Sequence, residues 1–345
     1  MKRKLCLLSF SIFILSAFVQ NGYSQDISTA FKQGLAYYKD GNYKSAIEQY
    51  NKVLLSDPKD ENTLYNRGLA YFKLANYESA IKDYTDAIKI NPKYEDAYFN
   101  RGLAYYYQES YSTAIADFNT ALILNPGDAQ AIYNCGLCYR KKGDYETAIA
   151  DYNKAIRINP QYTDAYYSRG LANYYKGEYQ TAIADYTLAI KLDPNYTDAF
   201  YNRGLAYYKL NDNNHAIEDY TASLKINPDN SDAYYNRGLV YYHQQNYDLA
   251  MNDYNASLKI KSQQADVYVS IGLCYRKLEK YDLAIADFTK AISIDPKYAI
   301  AYNNRGSVYW IQKKKDLCIA DWKKAADLGD ATSKKYLKDY YNIDY

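Results

Sequence analysis

Cys135 and Cys138, three residues apart, have the spacing of a reactive pair. A C-x-x-C can cycle between thiols and a disulfide, or supply half of a tetrahedral zinc site. Nothing completes such a set here. No second C-x-x-C occurs, and the only two histidines, His215 and His243, are remote in sequence. Neither histidine falls into a Ser-His-Asp or Cys-His spacing, and no glycine-rich phosphate loop is present. The chain is therefore read as non-enzymatic, with no catalytic residue, metal or cofactor.

Recognition chemistry is better represented. Asn66, Asn100, Asn134, Asn202, Asn236 and Asn304 share one phase of a 34-residue period. A carboxamide both donates and accepts, so a row of them can pair with the backbone of an extended chain. The position before theirs in the period carries aromatics at Tyr65, Phe99, Tyr133, Tyr167, Tyr201 and Tyr235. Seven residues further on, Phe72, Tyr106, Tyr174, Tyr208 and Tyr242 form a second aromatic row. Tyrosine is a rigid, amphipathic contact residue. These rows suit a peptide with aromatic or proline residues; they also suit a glycan stacked on ring faces.

The elements that carry these rows are set by small residues and helix stops. Nine glycines, from Gly34 and Gly68 to Gly272 and Gly306, lie 34 residues apart without a slip. All seven prolines, Pro58 to Pro296, lie 24 residues after one of them. With glycine at position eight, repeats start at residues 27, 61, 95, 129, 163, 197, 231, 265 and 299. Position 20 is Ala from Ala46 to Ala284, then Cys318. Position 24 is always aromatic, from Tyr50 through Phe118 to Trp322. Small residues at positions eight and 20 allow two antiparallel helices to approach closely, and the aromatics fill the space beside that contact. Ile or Leu at positions 21 and 28 extend the apolar stripe at helical spacing. Proline at position 32 ends the second helix. Cys138 and Cys274 occupy a position otherwise held by Ala or Val, which marks them as small buried thiols.

Gly at eight, Tyr at eleven (Tyr71, Tyr105, Tyr207), Ala at 20 and 27, an aromatic at 24 and Pro at 32 make this pattern resemble the tetratricopeptide repeat. The resemblance spans nine in-phase copies over residues 27–332. It implies an all-α, right-handed solenoid of antiparallel helix pairs, first helices on a concave face. It also implies partner binding, of an extended peptide or helix in the groove, through the asparagines and position-five aromatics named above. Residues 333–345 then hold the end of a capping helix, expected over Ala331 to Tyr341, and a tail. Repeats that clamp the carboxylate tails of chaperones use Lys at position five, where this chain has aromatics. Repeat six lacks the position-17 Tyr, and repeat seven ends Lys261-Ser262-Gln263-Gln264 without proline, so a longer or looser junction is expected there.

A charge pattern accompanies the metre. Position seven is Arg in six repeats and position 23 of the same repeats is Asp: Arg67 with Asp83, Arg101 with Asp117, Arg203 with Asp219, and likewise at 169/185, 237/253 and 305/321. Repeat one has Gln at both places, so the two charges vanish together. This predicts a within-repeat bridge that orients the helices. Asp151 and Asp287 lack an Arg of their own and are expected to reach Arg169 and Arg305 in the next repeat. Asp at position two and Lys at position 13 match the polarity of helix ends.

The chain has 345 residues, 47 of them tyrosine, and a formal net charge of +2. Without Lys2, Arg3 and Lys4 the count is 39 basic against 40 acidic residues. A neutral body without a basic cluster excludes nucleic acid as the main partner. Residues 1–24 read as a secretory signal: a basic start, an apolar core from Leu5 to Val19, and small residues at Gly22 and Ser24 before a cut at Gln25. The apolar core is short of the roughly 20 residues a membrane span needs. The expectation is thus an exported scaffold, periplasmic or secreted, that holds a protein or peptide, with membrane attachment only if the signal stays uncleaved. Glycan or cell-wall binding and a purely structural spacer are the alternatives.

Overall fold

The computed structural model describes residues 26–345; the expected signal segment, residues 1–24, lies outside them. Among the described residues the secondary structure is helical throughout, with no strand. Two compact units, Met1–Ala172 and Asn173–Tyr345, divide the chain within one helix. In the first unit α1 covers residues 26–39, followed by α2 (Tyr43–Ser56), α3 (Glu61–Lys73), α4 (Tyr77–Ile90), α5 (Glu95–Tyr107), α6 (Tyr111–Leu124), α7 (Ala129–Lys141) and α8 (Tyr145–Ile158). Helix α9 (Thr163–Lys176) carries the division. The second unit holds α10 (Tyr179–Leu192), α11 (Thr197–Lys209), α12 (Asn213–Ile226), α13 (Ser231–His243), α14 (Tyr247–Ile260), α15 (Ala265–Lys277), α16 (Tyr281–Ile294), α17 (Ala299–Ile311), α18 (Lys315–Asp327) and α19 (Ala331–Tyr341). Consecutive helices pair antiparallel within each unit, giving the all-α solenoid of helix pairs that the 34-residue metre implies.

The glycines set the spacing of each pair. A Cβ placed on Gly68 would lie 2.6 Å from Cε1 of Tyr84, and one on Gly272 2.6 Å from Cε1 of Phe288. Tyr84 and Phe288 are fully buried, as are Ala80 and Ala284 one helical turn before them. The ring of position 24 therefore lies flat on a helix that has no side chain at the point of contact. In repeats one, two and six the phenols of Tyr50, Tyr84 and Tyr220 find no hydrogen-bond partner within the protein. Phe118 fills the same place without a hydroxyl, so the site selects the ring and not its oxygen.

Turn chemistry ends each helix. At position 15 the backbone turns left-handed in every repeat. Gly41, Gly143 and Gly177 take this conformation freely, while Ala75 (φ 56°) and Glu109 (φ 59°) take it against the usual Cβ penalty. The next residue caps the second helix: the side chains of Asn76 and Asp144 accept from the N–H of Ser79 (3.1 Å) and Thr147 (3.1 Å). Repeat six does the same with Asp212, which accepts from the N–H of His215. At the outer turn the residue before proline accepts from two residues on, as Asn91 does from Lys93 (3.1 Å). Repeat seven has no proline, yet α14 stops at the usual place. There Gln264 Nε2 donates to Lys261 O (2.8 Å) and lies 3.2 Å from the hydroxyls of Ser231 and Ser257. One amide stands in for the proline stop, and the junction is no longer than the others, although it lacks their hydrogen-bonded turn. At the C-terminal end Leu337 of α19 is fully buried against Cys318, Trp322 and Ala326.

Guanidinium clamps tie successive helices. Arg67 Nε and Nη2 donate to the two carboxylate oxygens of Asp83 at 2.7 Å each, and its Nη1 donates to Asn51 Oδ1 of the preceding repeat (2.6 Å). Arg101 grips Asp117 and Thr85 in the same way. In the second unit Arg203, Arg237 and Arg305 hold Asp219, Asp253 and Asp321, with Thr187, Thr221 and Thr289 as third points. Each fork thus joins three helices. Burial pushes the Asp83 and Asp219 carboxyls up even with the guanidinium beside them. Such a pair adds little over an apolar contact, but it is costly to break. The two carboxylates without their own arginine behave otherwise than expected. Asp151 takes Lys154 of its own helix (2.8 Å). Arg305 gives Nε and Nη2 to Asp321 and Nη1 to Thr289, and makes no bond to Asp287. Asp287 is left half-buried, and desolvation alone pushes its carboxyl up to about 6.

Two outcomes follow. Arg203→Ala should cost about 3–5 kcal/mol in the unfolding of its unit, because it strands the buried Asp219 carboxylate; an unchanged denaturation curve would show the clamp to be ornamental. Asp287 has a raised folded pKa, so its contribution to stability is present below the ordinary carboxylate range and is lost as pH rises through about 6. Asp287→Asn should therefore raise the melting temperature at pH 7.5 and leave it unraised at about pH 4. Equal effects at both pH values would contradict this.

Candidate functional site

The position-six asparagines are fixed by their own helices. Nδ2 donates to the carbonyl four residues back in Asn66 (2.7 Å), Asn100 (2.8 Å), Asn134 (2.8 Å), Asn202 (2.8 Å), Asn236 (2.8 Å) and Asn304 (2.9 Å). Because that carbonyl can only accept, the orientation of each carboxamide is settled by chemistry. Asn100 and Asn236 give their second N–H to the hydroxyls of Tyr65 and Tyr201, both at 3.0 Å. In these two asparagines the donor capacity is therefore consumed. The acceptor remains: Oδ1 of Asn66, Asn100 and Asn236 is turned away from these bonds, in side chains that are half-buried. Asn134 is buried, and Asn304 Oδ1 already accepts from Arg276 Nη1 (2.9 Å).

Position-five rings bridge one repeat to the next. Tyr65 packs on buried Tyr84 and on Tyr94, with centroids 5.8 and 4.9 Å apart. Phe99 lies 5.6 Å from Phe118, and Tyr133 packs on Tyr152 and Tyr162. The Tyr133 hydroxyl meets Ser168 Oγ, the position-six residue of the following repeat, at 3.0 Å. In the second unit Tyr201 and Tyr235 lie on Tyr220 and Tyr254. Tyr167 is half-buried. Burial raises the Tyr133 and Tyr201 phenols to about 12, so both stay neutral donors and acceptors. These rings form the back wall of the site and hold its asparagines.

Exposed aromatic surface lies further along the first helices. Tyr107 is 55 % exposed and stacks on Tyr77, 5.4 Å away with ring planes 9° apart, while Phe72 meets both edge-on. Tyr175 is 58 % exposed beside Tyr174. His243 lies between Tyr208 and Tyr242. Position 13 alternates here between these rings and lysine, a feature the sequence reading passed over in favour of its lysines. The acids at position two and lysines at position 13 fall in the first and last turns of α11 and its counterparts, where they complement the helix ends.

Among the described residues the thiols are buried and His215 is engaged by its neighbours. Cys135, Cys138, Cys274 and Cys318 are free and buried. Desolvation raises Cys135, Cys138 and Cys274 to about 12, far from the thiolate a nucleophile needs. His215 is engaged at its helix start by Asp212, 2.7 Å away, and stacks on Tyr207. No group of three or more metal-ligating side chains comes together among the described residues.

Comparison with known proteins agrees with this geometry. A profile described as TPR repeat matches residues 34–75, 138–176 and 170–211. Tetratricopeptide repeat profiles match 201–265, and 62–94, 95–128 and 265–298. No curated protein matches the chain significantly. Among solved structures it is similar to a tetratricopeptide repeat protein from Parabacteroides merdae, at 20 % identity and a TM-score of 0.57, over 72 % of this chain and 99 % of that one. It is also similar to pilF of Pseudomonas aeruginosa (20 %, TM-score 0.53, 60 % and 94 % covered) and to the Cut9–Hcn1 assembly of the APC/C (17 %, 0.52, 91 % and 76 %). At these identities the likeness is one of fold. With matched repeats running from residue 34 to 298, the chain belongs to the tetratricopeptide repeat family.

Proposed function

We propose that this protein is an exported, non-enzymatic scaffold whose units each hold an extended polypeptide on the asparagine-bearing face of their first helices. Its family is one of protein- and peptide-binding folds, which supports the scaffold role. The observation that carries the groove reading is the pinned carboxamide. Asn100 and Asn236 have both N–H groups tied down, and Asn66 one, with an Oδ1 acceptor left over in each. A pre-oriented acceptor receives a backbone N–H without losing further rotamer freedom.

Magnitudes limit what the ladder does alone. Each rung is worth about 0.5–1.5 kcal/mol net, and ordering a disordered segment costs about 2–5 kcal/mol. Two acceptors in the first unit do not offset that cost. The exposed ring of Tyr107, with half-buried Phe72 and Tyr77 beside it, supplies the rest by apolar burial, so the favoured ligand carries aromatic or proline side chains beside a backbone free to donate. Export is supported by the basic start, apolar core and small-residue cut of residues 1–24. No helix among the described residues is long and apolar enough to cross a membrane.

The test is selection from a random-sequence peptide library on the intact chain and on an Asn66→Ala, Asn100→Ala, Asn236→Ala variant of matched melting temperature. Peptides enriched on the parent should bind the variant about tenfold more weakly or worse. Equal binding would remove the ladder from the site. A saturable change of tyrosine fluorescence with oligosaccharides, absent with those peptides, would favour the glycan reading instead.

A further inference from the structure

Repeat four departs from the clamp described above. Its position-seven residue is Cys135, not arginine, while the other parts of the clamp remain. Asp151 stands at position 23 and is 8 % exposed. Asn119, of the preceding repeat, stands where Asn51 or Thr85 receives Nη1 in repeats two and three. Between them lies a cavity of about 220 Å³, lined by Asn119 and Leu122 of α6, Pro126, Ile132 and Cys135 of α7, and Asp151 and Lys154 of α8. Liquid water takes about 30 Å³ per molecule, so this space has room for a four-heavy-atom guanidinium and part of its stem.

The polar groups around the cavity are only partly used. Asp151 engages Lys154 Nζ through Oδ1 alone, and the lysine side chain is 54 % exposed. Asn119 Oδ1 has only the Cys135 thiol, 3.9 Å away, a weak donor. In the clamps of Arg67 and Arg101 both carboxylate oxygens and the third acceptor are filled by one planar fork at 2.6–3.0 Å. An ammonium is a compact point charge and cannot match that fork.

We propose that the cavity between α6 and α8 is a docking site for an arginine side chain of a partner polypeptide, which completes the clamp of repeat four from outside. The guanidinium donates to both oxygens of Asp151 and to Asn119 Oδ1, as Arg67 does to Asp83 and Asn51 within the chain. Lys154 swings into solvent as it enters. The inference rests on the scaffold reading for the nature of the partner, but it uses a different surface from the asparagine ladder. Five intramolecular examples define the ligand's chemistry: Arg67, Arg101, Arg203, Arg237 and Arg305.

The experiment titrates N-acetyl-arginine amide into the intact chain, with the lysine and citrulline analogues as controls, following α6–α8 amide resonances. Saturable binding is expected for arginine and binding at least about tenfold weaker for both controls, since lysine lacks the fork and citrulline the charge. Asp151→Asn should abolish the shift and Lys154→Ala should strengthen it. Cys135→Arg should abolish it while raising the melting temperature; if that variant does not fold, Asp151→Asn decides alone. Arginine binding no tighter than the controls, or unchanged in Asp151→Asn, overturns the site. Free arginine binding more tightly than the capped form overturns the polypeptide partner in favour of a metabolite. These outcomes are independent of the ladder variant, so the groove reading and this site can fail separately.

Discussion

Within each unit, the two helices of a repeat meet where one of them has no side chain. The aromatic ring of position 24 rests on the bare backbone of position eight at distances no β-carbon can share. The consequences run in both directions. The close approach brings the position-seven arginine within reach of its own repeat's carboxylate and of the preceding repeat's acceptor. It also fixes where position five projects, so that Tyr65 lies across the buried Tyr84 and meets the next repeat's Asn100. Packing, clamp and ladder are three results of one short contact.

The architecture was legible because packing of this kind repeats. A glycine that cannot be replaced recurs in phase, and so do the alanine and aromatic that surround it. The clamp carboxylates were legible from paired losses, as at Gln33 and Gln49. Its third acceptor was missed, although position 25 reads Asn or Thr in eight repeats, Asn51 and Thr85 among them. Polar residues on a helix surface are common enough that such a run carries no direction until a donor is seen to point at it. The left-handed turn was also hidden. Ala75 and Glu109 carry no sign of positive φ, and only the tight count of residues between helices forces it on them.

At the candidate site the residue types were readable and the available atoms were not. The sequence shows asparagine at position six but cannot show that Nδ2 is spent on the carbonyl one turn back. That bond changes the ligand's required chemistry from amide pairing in both senses to donation by the ligand. In the same way Tyr133 and Tyr201 read as contact surface, yet their faces are largely occupied by Tyr152 and Tyr220. Exposed aromatic area lies instead at Tyr107 and Tyr175, at a position whose lysines drew attention away from its rings. Repeat four is the converse case. Its Cys135 drew notice only as half of a C-x-x-C, and its consequence, a carboxylate and an amide facing a cavity, follows from what the neighbouring repeats place there.

The dependence of all this on one contact can be measured by the sign of a single substitution. Helix propensity alone makes Gly204→Ala stabilising by about 0.8–1 kcal/mol. The close approach of Tyr220 makes it destabilising by about 1–3 kcal/mol from overpacking, because a Cβ there would lie 2.9 Å from the ring. Chemical denaturation of the intact chain should show a loss of stability; a gain would mean that the helices do not meet at position eight.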